Sequence, residues 1–353
     1  MDLPEYREKD GKMGKKITER KIGKRRKRVS GIWFVLLALV VWCIVMAPAD
    51  DTTTEIPQTT VQPTTVPEAT GDSTVDSDVG MPFQPSPESE SYFEVHYIDV
   101  GQADAALVMC DDKYMLIDGG NHEDSDLIYT YLKNLEISHL DYIVASHAHE
   151  DHVGGLSGAL NYATVATVYC PVTEHDSEPF RYFQKYVKEA GAVITVPNVG
   201  DNFSLGSATA EVLGVNGGSE PNDTSIILKI TYGETAFLFM GDAEKEAEDA
   251  VLSSGCNLSA TVLKVGHHGS SDSTSFSFLR EVAPSHAIIS VGKENGVGHP
   301  TKTVLGRLKD AGVKVYRTDL QGDIIVSSDG EIITVTVEKN PEADVFVPQV
   351  SLK

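Results

Sequence analysis

The 353-residue chain is poor in cysteine and, over most of its length, in basic side chains. Its four cysteines are Cys43, inside an apolar run, and Cys110, Cys170 and Cys256, set far apart. An odd count at wide spacing excludes a disulfide framework after residue 48. One pair among the three, or three small buried apolar side chains, are the readings left. Lys and Arg total 29 against 52 Asp and Glu, for a net charge of −23. Residues 1–30 hold 12 basic and 5 acidic side chains, which leaves 17 and 47 for the remainder, a balance of −30. A body so short of positive charge excludes broad electrostatic capture of long DNA, which needs clustered Lys and Arg. A short stretch bound at a cation stays open.

Long apolar runs are equally scarce, and residues 29–47 are the exception. No charge interrupts them, and as a helix they span about 28 Å, close to the hydrocarbon thickness of a bilayer. The basic block at 24–28 in front of them keeps the N-terminus in the cytoplasm. The expectation is a basic cytoplasmic segment at 1–28, a single-pass transmembrane anchor at 29–47 and the rest outside the cell. A cleaved signal peptide is the rival, because Ala47, Pro48 and Ala49 offer small residues at the spacing a peptidase reads. The protein would then be secreted after cleavage near Ala49. Residues 48–91 are dominated by Thr, Pro, Ser and acids, and read as a semi-rigid linker.

A compact domain is expected over residues 92–340, with a loose tail at 341–353. Strand-like segments fall at 93–99, 105–110, 113–118, 141–145 and 164–169, then at 208–213, 225–231, 235–240, 260–265, 286–291, 313–317, 323–327 and 332–337. Helical periodicity falls at 123–135, 155–162, 180–190, 243–252, 274–282 and 301–311. Two successive halves each carry strands and peripheral helices. The expected architecture is α/β: a four-layer αββα sandwich, two sheets face to face with helices on both outer surfaces, preceded by one transmembrane helix.

The densest chemistry follows the apolar segment 141–145: Ser146-His147-Ala148-His149-Glu150-Asp151-His152-Val153-Gly154-Gly155. His147 and His149 alternate, so in an extended segment they point the same way. Asp151 and His152 follow where the chain can turn towards a second point. The set suits two adjacent divalent ions, with nitrogens at one and mixed nitrogen and oxygen at the other, rather than a polar loop merely rich in His.

Four further motifs end or follow apolar strands, where α/β domains place ligands. Asp118-Gly119-Gly120 puts a carboxylate where it can orient a metal-bound His, or forms an ordinary turn. Met240-Gly241-Asp242 puts another where bridging two cations would compensate its burial, or where it caps the next helix. In Gly266-His267-His268-Gly269-Ser270 consecutive side chains point to opposite sides if extended, so at most one imidazole reaches a metal and the other meets substrate or a group behind the metal; a polar turn with two surface imidazoles is the alternative. His267 is the preferred ligand, and His268 the alternative. Gly298-His299-Pro300 presents His299 as a substrate contact or proton donor. Asn222, before another strand, would set polar atoms near one metal. His96, His122, His139, His175 and His286 read as structural or exposed.

The ordered set DGG, HxHxDH, GD at a strand end and HHGS resembles the metallo-β-lactamase superfamily. Asp99-Val100-Gly101-Gln102-Ala103-Asp104, together with HHGS and GHP, is similar to the metallohydrolase domain of ComEC-type competence proteins over residues 93–338. That resemblance implies one metal on His147 and His149, and another on Asp151 and His152. Asp242 would bridge them, and His267 or His268 would complete the second. One departure stands out: the superfamily usually has another His between HxHxDH and the bridging Asp, and here Asn222 and Asp223 stand there instead, apart from His175, which falls too early. The implied function is a hydrolase with two divalent ions, Zn2+ first and Mn2+ second, acting through a metal-bound hydroxide on phosphodiesters of nucleic acid or an envelope polymer. Asp151 or Asp242 would take the water's proton, and His299 and His268 would steady the leaving oxygen. Another ester, a lactone, a thioester or a β-lactam is the alternative substrate. A non-catalytic surface module with a structural metal is the third reading. No obligate protein partner is expected.

Overall fold

The fold is taken from a computed structural model in which residues 92–348 are described. The segments at 1–28, 29–47 and 48–91, and the end of the tail, lie outside the described residues. Among the described residues no helix is long and apolar enough to cross a membrane.

The first strands in the chain are Phe93–Tyr97 (β1), Ala106–Cys110 (β2), Lys113–Ile117 (β3), His139–Val144 (β4), Thr164–Tyr169 (β5) and Ile194–Thr195 (β6). Then come Asn202–Leu205 (β7), Ala208–Gly214 (β8), Ile227–Tyr232 (β9), Thr235–Phe239 (β10) and Val262–Lys264 (β11). His286–Ile289 (β12), Lys314–Arg317 (β13), Ile324–Ser328 (β14) and Ile333–Val337 (β15) complete them. They form two sheets, in the spatial orders β15-β14-β1-β2-β3-β4-β5-β6 and β13-β12-β11-β10-β9-β8-β7. Each sheet has an antiparallel part and a parallel part. The parallel neighbours are β3 to β6 in one and β10 to β13 in the other. Strands covered on both faces carry unbroken apolar runs, and all five residues of β10, Thr-Ala-Phe-Leu-Phe, are buried.

The helices are Ser125–Asn134 (α1), Glu150–Val153 (α2), Leu156–Tyr162 (α3) and Glu178–Glu189 (α4), then Lys245–Ser254 (α5), Phe276–Val282 (α6), Lys302–Asp310 (α7) and Thr318–Gln321 (α8). Helix α4 shows why they form where they do. Ser177 caps its start by accepting from the Phe180 amide at 3.3 Å, Pro179 sits in its first turn, and Phe180, Phe183 and Val187 make one buried stripe.

Three apolar clusters define the layers. One joins Leu116, Leu140 and Ile143 of the first sheet to Ile128, Leu132, Leu156 and Phe183 of its helices. The central one lies between the sheets, where Phe93 meets Phe237 with ring centroids 4.8 Å apart. The third joins Leu238 and Leu263 to Val251, Phe278 and Leu305 of the other helices. The expected four layers, helix–sheet–sheet–helix, are therefore present.

Two features depart from the sequence reading. The division into two successive halves is crossed by the hairpin β14–β15, which returns to the first sheet and pairs β14 with β1, Phe93 against Ser328. Without it β1 would be an open edge. Cys110, Cys170 and Cys256 are all free, the first two buried, so no pair forms among them.

Candidate metal centre

The loops after β3, β4, β10, β11 and β12 converge at one end of the two sheets. Strand β4 leads into His147, which is fully buried. His149 stays extended at the start of α2, so its Nδ1 comes within 3.0 Å of His147 Nε2. The turn into α2 then swings Asp151 and His152 to a second place. This loop is locked from below by a close backbone approach. Gly119 donates to the His152 carbonyl at 2.8 Å and Gly155 to the Gly120 carbonyl at 3.1 Å. A Cβ on Gly155 would collide with the carbonyl oxygen of Gly119, so glycine is required there. Asp118 is more than a turn residue. Its Oδ1 accepts from the Ser146 amide at 2.7 Å and its Oδ2 lies 2.8 Å from His152 Nδ1.

Asp242 ends the extension of β10, buried. Gly241 before it has φ +51°, and a Cβ there would lie 2.8 Å from Ser146 Cβ. The two oxygens of Asp242 face different imidazoles. Oδ1 lies 3.3 Å from His152 Nε2 and 3.6 Å from His268 Nε2. Oδ2 lies 3.7 Å from His267 Nε2 and 4.0 Å from His147 Nε2. Capping of α5 falls to Asp223 instead, whose Oδ1 accepts from the Glu244 and Ala247 amides at 2.9 and 3.1 Å.

His267 and His268 occupy a tight turn with φ +45° and +51°, both left-handed. The expectation that consecutive side chains diverge assumed extended backbone, and this turn removes it: both rings face Asp242. His268 is the buried one. Its Nε2 lies 3.3 Å from Asp151 Oδ2, and its Nδ1 lies 3.0 Å from the Ser290 carbonyl and 3.2 Å from Asp104 Oδ1. His268, rather than the preferred His267, therefore joins Asp151, His152 and Asp242, whose ligand atoms all lie within 4.8 Å of one another. His267 turns its Nδ1 to Glu244 Oε1 at 2.9 Å. Asn222 does not face the cluster; its Nδ2 donates to the same Glu244 oxygen at 2.8 Å. The His299 ring sits 5.3 Å from that of His267, and the His175 ring 6.5 Å from that of His149. Asp104, Lys264 and Glu244 were not singled out as site residues. The DVGQAD motif was the signal for Asp104.

The electrostatics follow from burial and crowding. Burial drives the His147 imidazole well down, and the neighbouring His152 adds to this. Burial also pulls on His152 and His268, but the carboxylates outweigh it. Asp242 and Asp118 hold His152 well up, and Asp242 and Asp104 lift His268 to about 10. Burial works against ionised Asp242, yet His152 and His268 hold its carboxyl well below the usual range. This is a buried pocket that favours cations. His152 Nε2 and Asp242 Oδ1 are moreover buried with no hydrogen-bond partner. Orphaned donor atoms of this kind, imidazole nitrogen with carboxylate oxygen, suit divalent metal ions.

The family described as "Metallo-beta-lactamase superfamily" matches residues 98–293. The chain is similar to ComE operon protein 3 of Bacillus subtilis (strain 168), 32% identical over 254 residues, covering 65% of this chain and 32% of that protein. It is similar to competence protein ComA of Neisseria gonorrhoeae, 29% identical over 242 residues, covering 68% of this chain and 33% of that protein. The chain thus spans about a third of the length of these curated relatives. Among solved structures it is similar to the metallo-beta-lactamase fold protein YhfI from Bacillus subtilis, with TM-score 0.46 and 16% identity over 67% of this chain and 100% of that one.

Proposed function

Because this chain belongs to the metallo-beta-lactamase superfamily, we propose that it is a membrane-anchored, extracytoplasmic, metal-dependent hydrolase acting on phosphodiesters. The observation that carries the reading is the buried carboxylate of Asp242, with an imidazole nitrogen within 4.0 Å of each oxygen. Asp151, His152 and His268 would hold one ion, His147 and His149 the other, and Asp242 both. Zn2+ suits these donors best and Mn2+ next. Two such ions supply an acidified water and an electrophilic contact for the ester oxygen.

The protein's own side chains do the rest. Asp118 fixes the ring of His152 and the Ser290 carbonyl that of His268, each through Nδ1, with Asp104 Oδ1 3.2 Å from the latter nitrogen. Asp151, with 29% side-chain exposure, is the carboxylate that faces entering water. His299 is pushed down to about 4 by burial and by His267 and His268. It is neutral near pH 7, so it donates a hydrogen bond to the leaving oxygen rather than a proton. One relative is named as a competence protein, which favours a nucleic-acid phosphodiester over a β-lactam, and the scarcity of Lys and Arg favours a short contact at the ions. Residues 29–47 would tether the domain to the membrane.

The test uses the purified full chain with metal removed and restored. Its substrates are bis-p-nitrophenyl phosphate, single-stranded DNA, a lactone, a thioester and a β-lactam. Metal-dependent phosphodiester cleavage, lost in Asp151→Ala and Asp242→Ala with circular dichroism unchanged, is the expected result. Undiminished turnover in those variants, or cleavage confined to the other substrates, overturns it.

A further inference from the structure

We infer that His267 supplies a third nitrogen to the ion held by His147 and His149, because His175, which alone among the histidines lies between the His-rich loop and Asp242, has its ring 6.5 Å from that of His149 and its Nδ1 on Ser177 Oγ at 3.1 Å. The inference rests on the two-ion reading above.

Asp242 sorts the imidazoles. Its Oδ1 faces His152 and His268, and its Oδ2 faces His147 and His267, at 4.0 and 3.7 Å. His267 thus belongs to the first group by position, although its neighbour in sequence belongs to the second. Each metal-facing imidazole also needs its other nitrogen held. His152 has Asp118 and His268 has the Ser290 carbonyl. His267 has the Glu244 carboxylate 2.9 Å from its Nδ1 as an ion-pair contact, not an aligned hydrogen bond, and Asn222 donates to that carboxylate at 2.8 Å.

The backbone points the same way. Two successive left-handed residues other than glycine are unfavourable by about 1–2 kcal/mol each. Such outliers gather at functional sites. Here the turn is what lets both rings reach Asp242. Asn222 lies in the same stretch of sequence and reaches the edge of the site through Glu244, to which its Nδ2 donates at 2.8 Å. With three imidazoles and a carboxylate oxygen, the first site becomes nitrogen-rich and selects zinc over harder ions; with two it would not.

Calorimetric titration of Zn2+ into the metal-free full chain tests this, together with zinc X-ray absorption to count imidazoles. Native protein should take up two ions. His267→Ala should weaken one of them and lower the imidazole count per zinc. Glu244→Gln should weaken the same site about 10- to 100-fold. In a His147→Ala background, which keeps the second site, adding His267→Ala should change nothing further. A native chain that binds two ions while His267→Ala binds both unchanged overturns the inference and leaves the two-ion reading standing. So does a further loss in the His147→Ala background. Uptake of fewer than two ions by the native chain overturns both. If His267→Ala fails to fold, Glu244→Gln decides, and unchanged affinity there overturns the inference.

Discussion

Lys264 Nζ and Asp104 Oδ2 meet at 2.6 Å inside the molecule, joining a loop of the first sheet to strand β11 of the second, and the other Asp104 oxygen lies 3.2 Å from His268 Nδ1. Burial alone would raise the Asp104 carboxyl; the Lys264 charge, then His268, hold it below the usual range. Lys264→Met would leave that carboxylate buried with its cation gone. The expected loss is about 3–5 kcal/mol in urea unfolding, and Lys264→Met combined with Asp104→Leu should recover most of it.

Asp118 holds His152 and the Ser146 amide with its two oxygens. In Asp118→Asn an amide oxygen can still accept one of these bonds, but the negative charge of the carboxylate facing the His152 imidazole is lost. Zinc affinity, measured against a competing chelator, should fall about 10- to 100-fold, with the far-ultraviolet spectrum unchanged.

Ions that bind only the folded chain stabilise it. Zn2+ at a hundred times its dissociation constant should add about 2.7 kcal/mol per site, seen as a higher melting temperature that a chelator reverses. Asp242→Ala removes the carboxylate proposed to serve both ions, and should abolish most of this shift.

Burial raises the Cys170 thiol from 9.0 to about 12. The unfolded chain ionises this thiol first, so the folded state binds the proton more tightly and stability falls as pH climbs between those two values. Cys170→Ala should flatten that part of the stability–pH curve. At pH 7.5 a maleimide should label the half-buried Cys256 long before Cys170.

Much of the site could be read from residue order. His147, His149, Asp151 and His152 sit in one short loop, and Asp242 ends an apolar strand, so local pattern was enough to bring them forward. The partition of His267 and His268 was not legible, because residue types do not encode the left-handed backbone that redirects both rings. Lys264 was silent for another reason. Its partner Asp104 lies 160 residues away, and a lone lysine in a strand carries no local signal. Glu244 reads as an ordinary acidic start to a helix until His267 is set beside it. In the fold, the centres of the longer strands and helices were recovered, but β6, β7 and the four-residue helices α2 and α8 were not, because each is too short to show a period. The return of β14 to β1 depends on a pairing between opposite ends of the domain.

That return has a consequence for biogenesis. A ribosome delivers β1 long before its neighbour β14, with Phe93 waiting for Ser328. A chain stalled before residue 324 presents β1 as a bare ladder of amides and carbonyls, open to intermolecular pairing. Maturation of the half that carries His147 and His152 is therefore gated by the arrival of the distal hairpin, and truncated products should be sticky and quickly degraded rather than partly active.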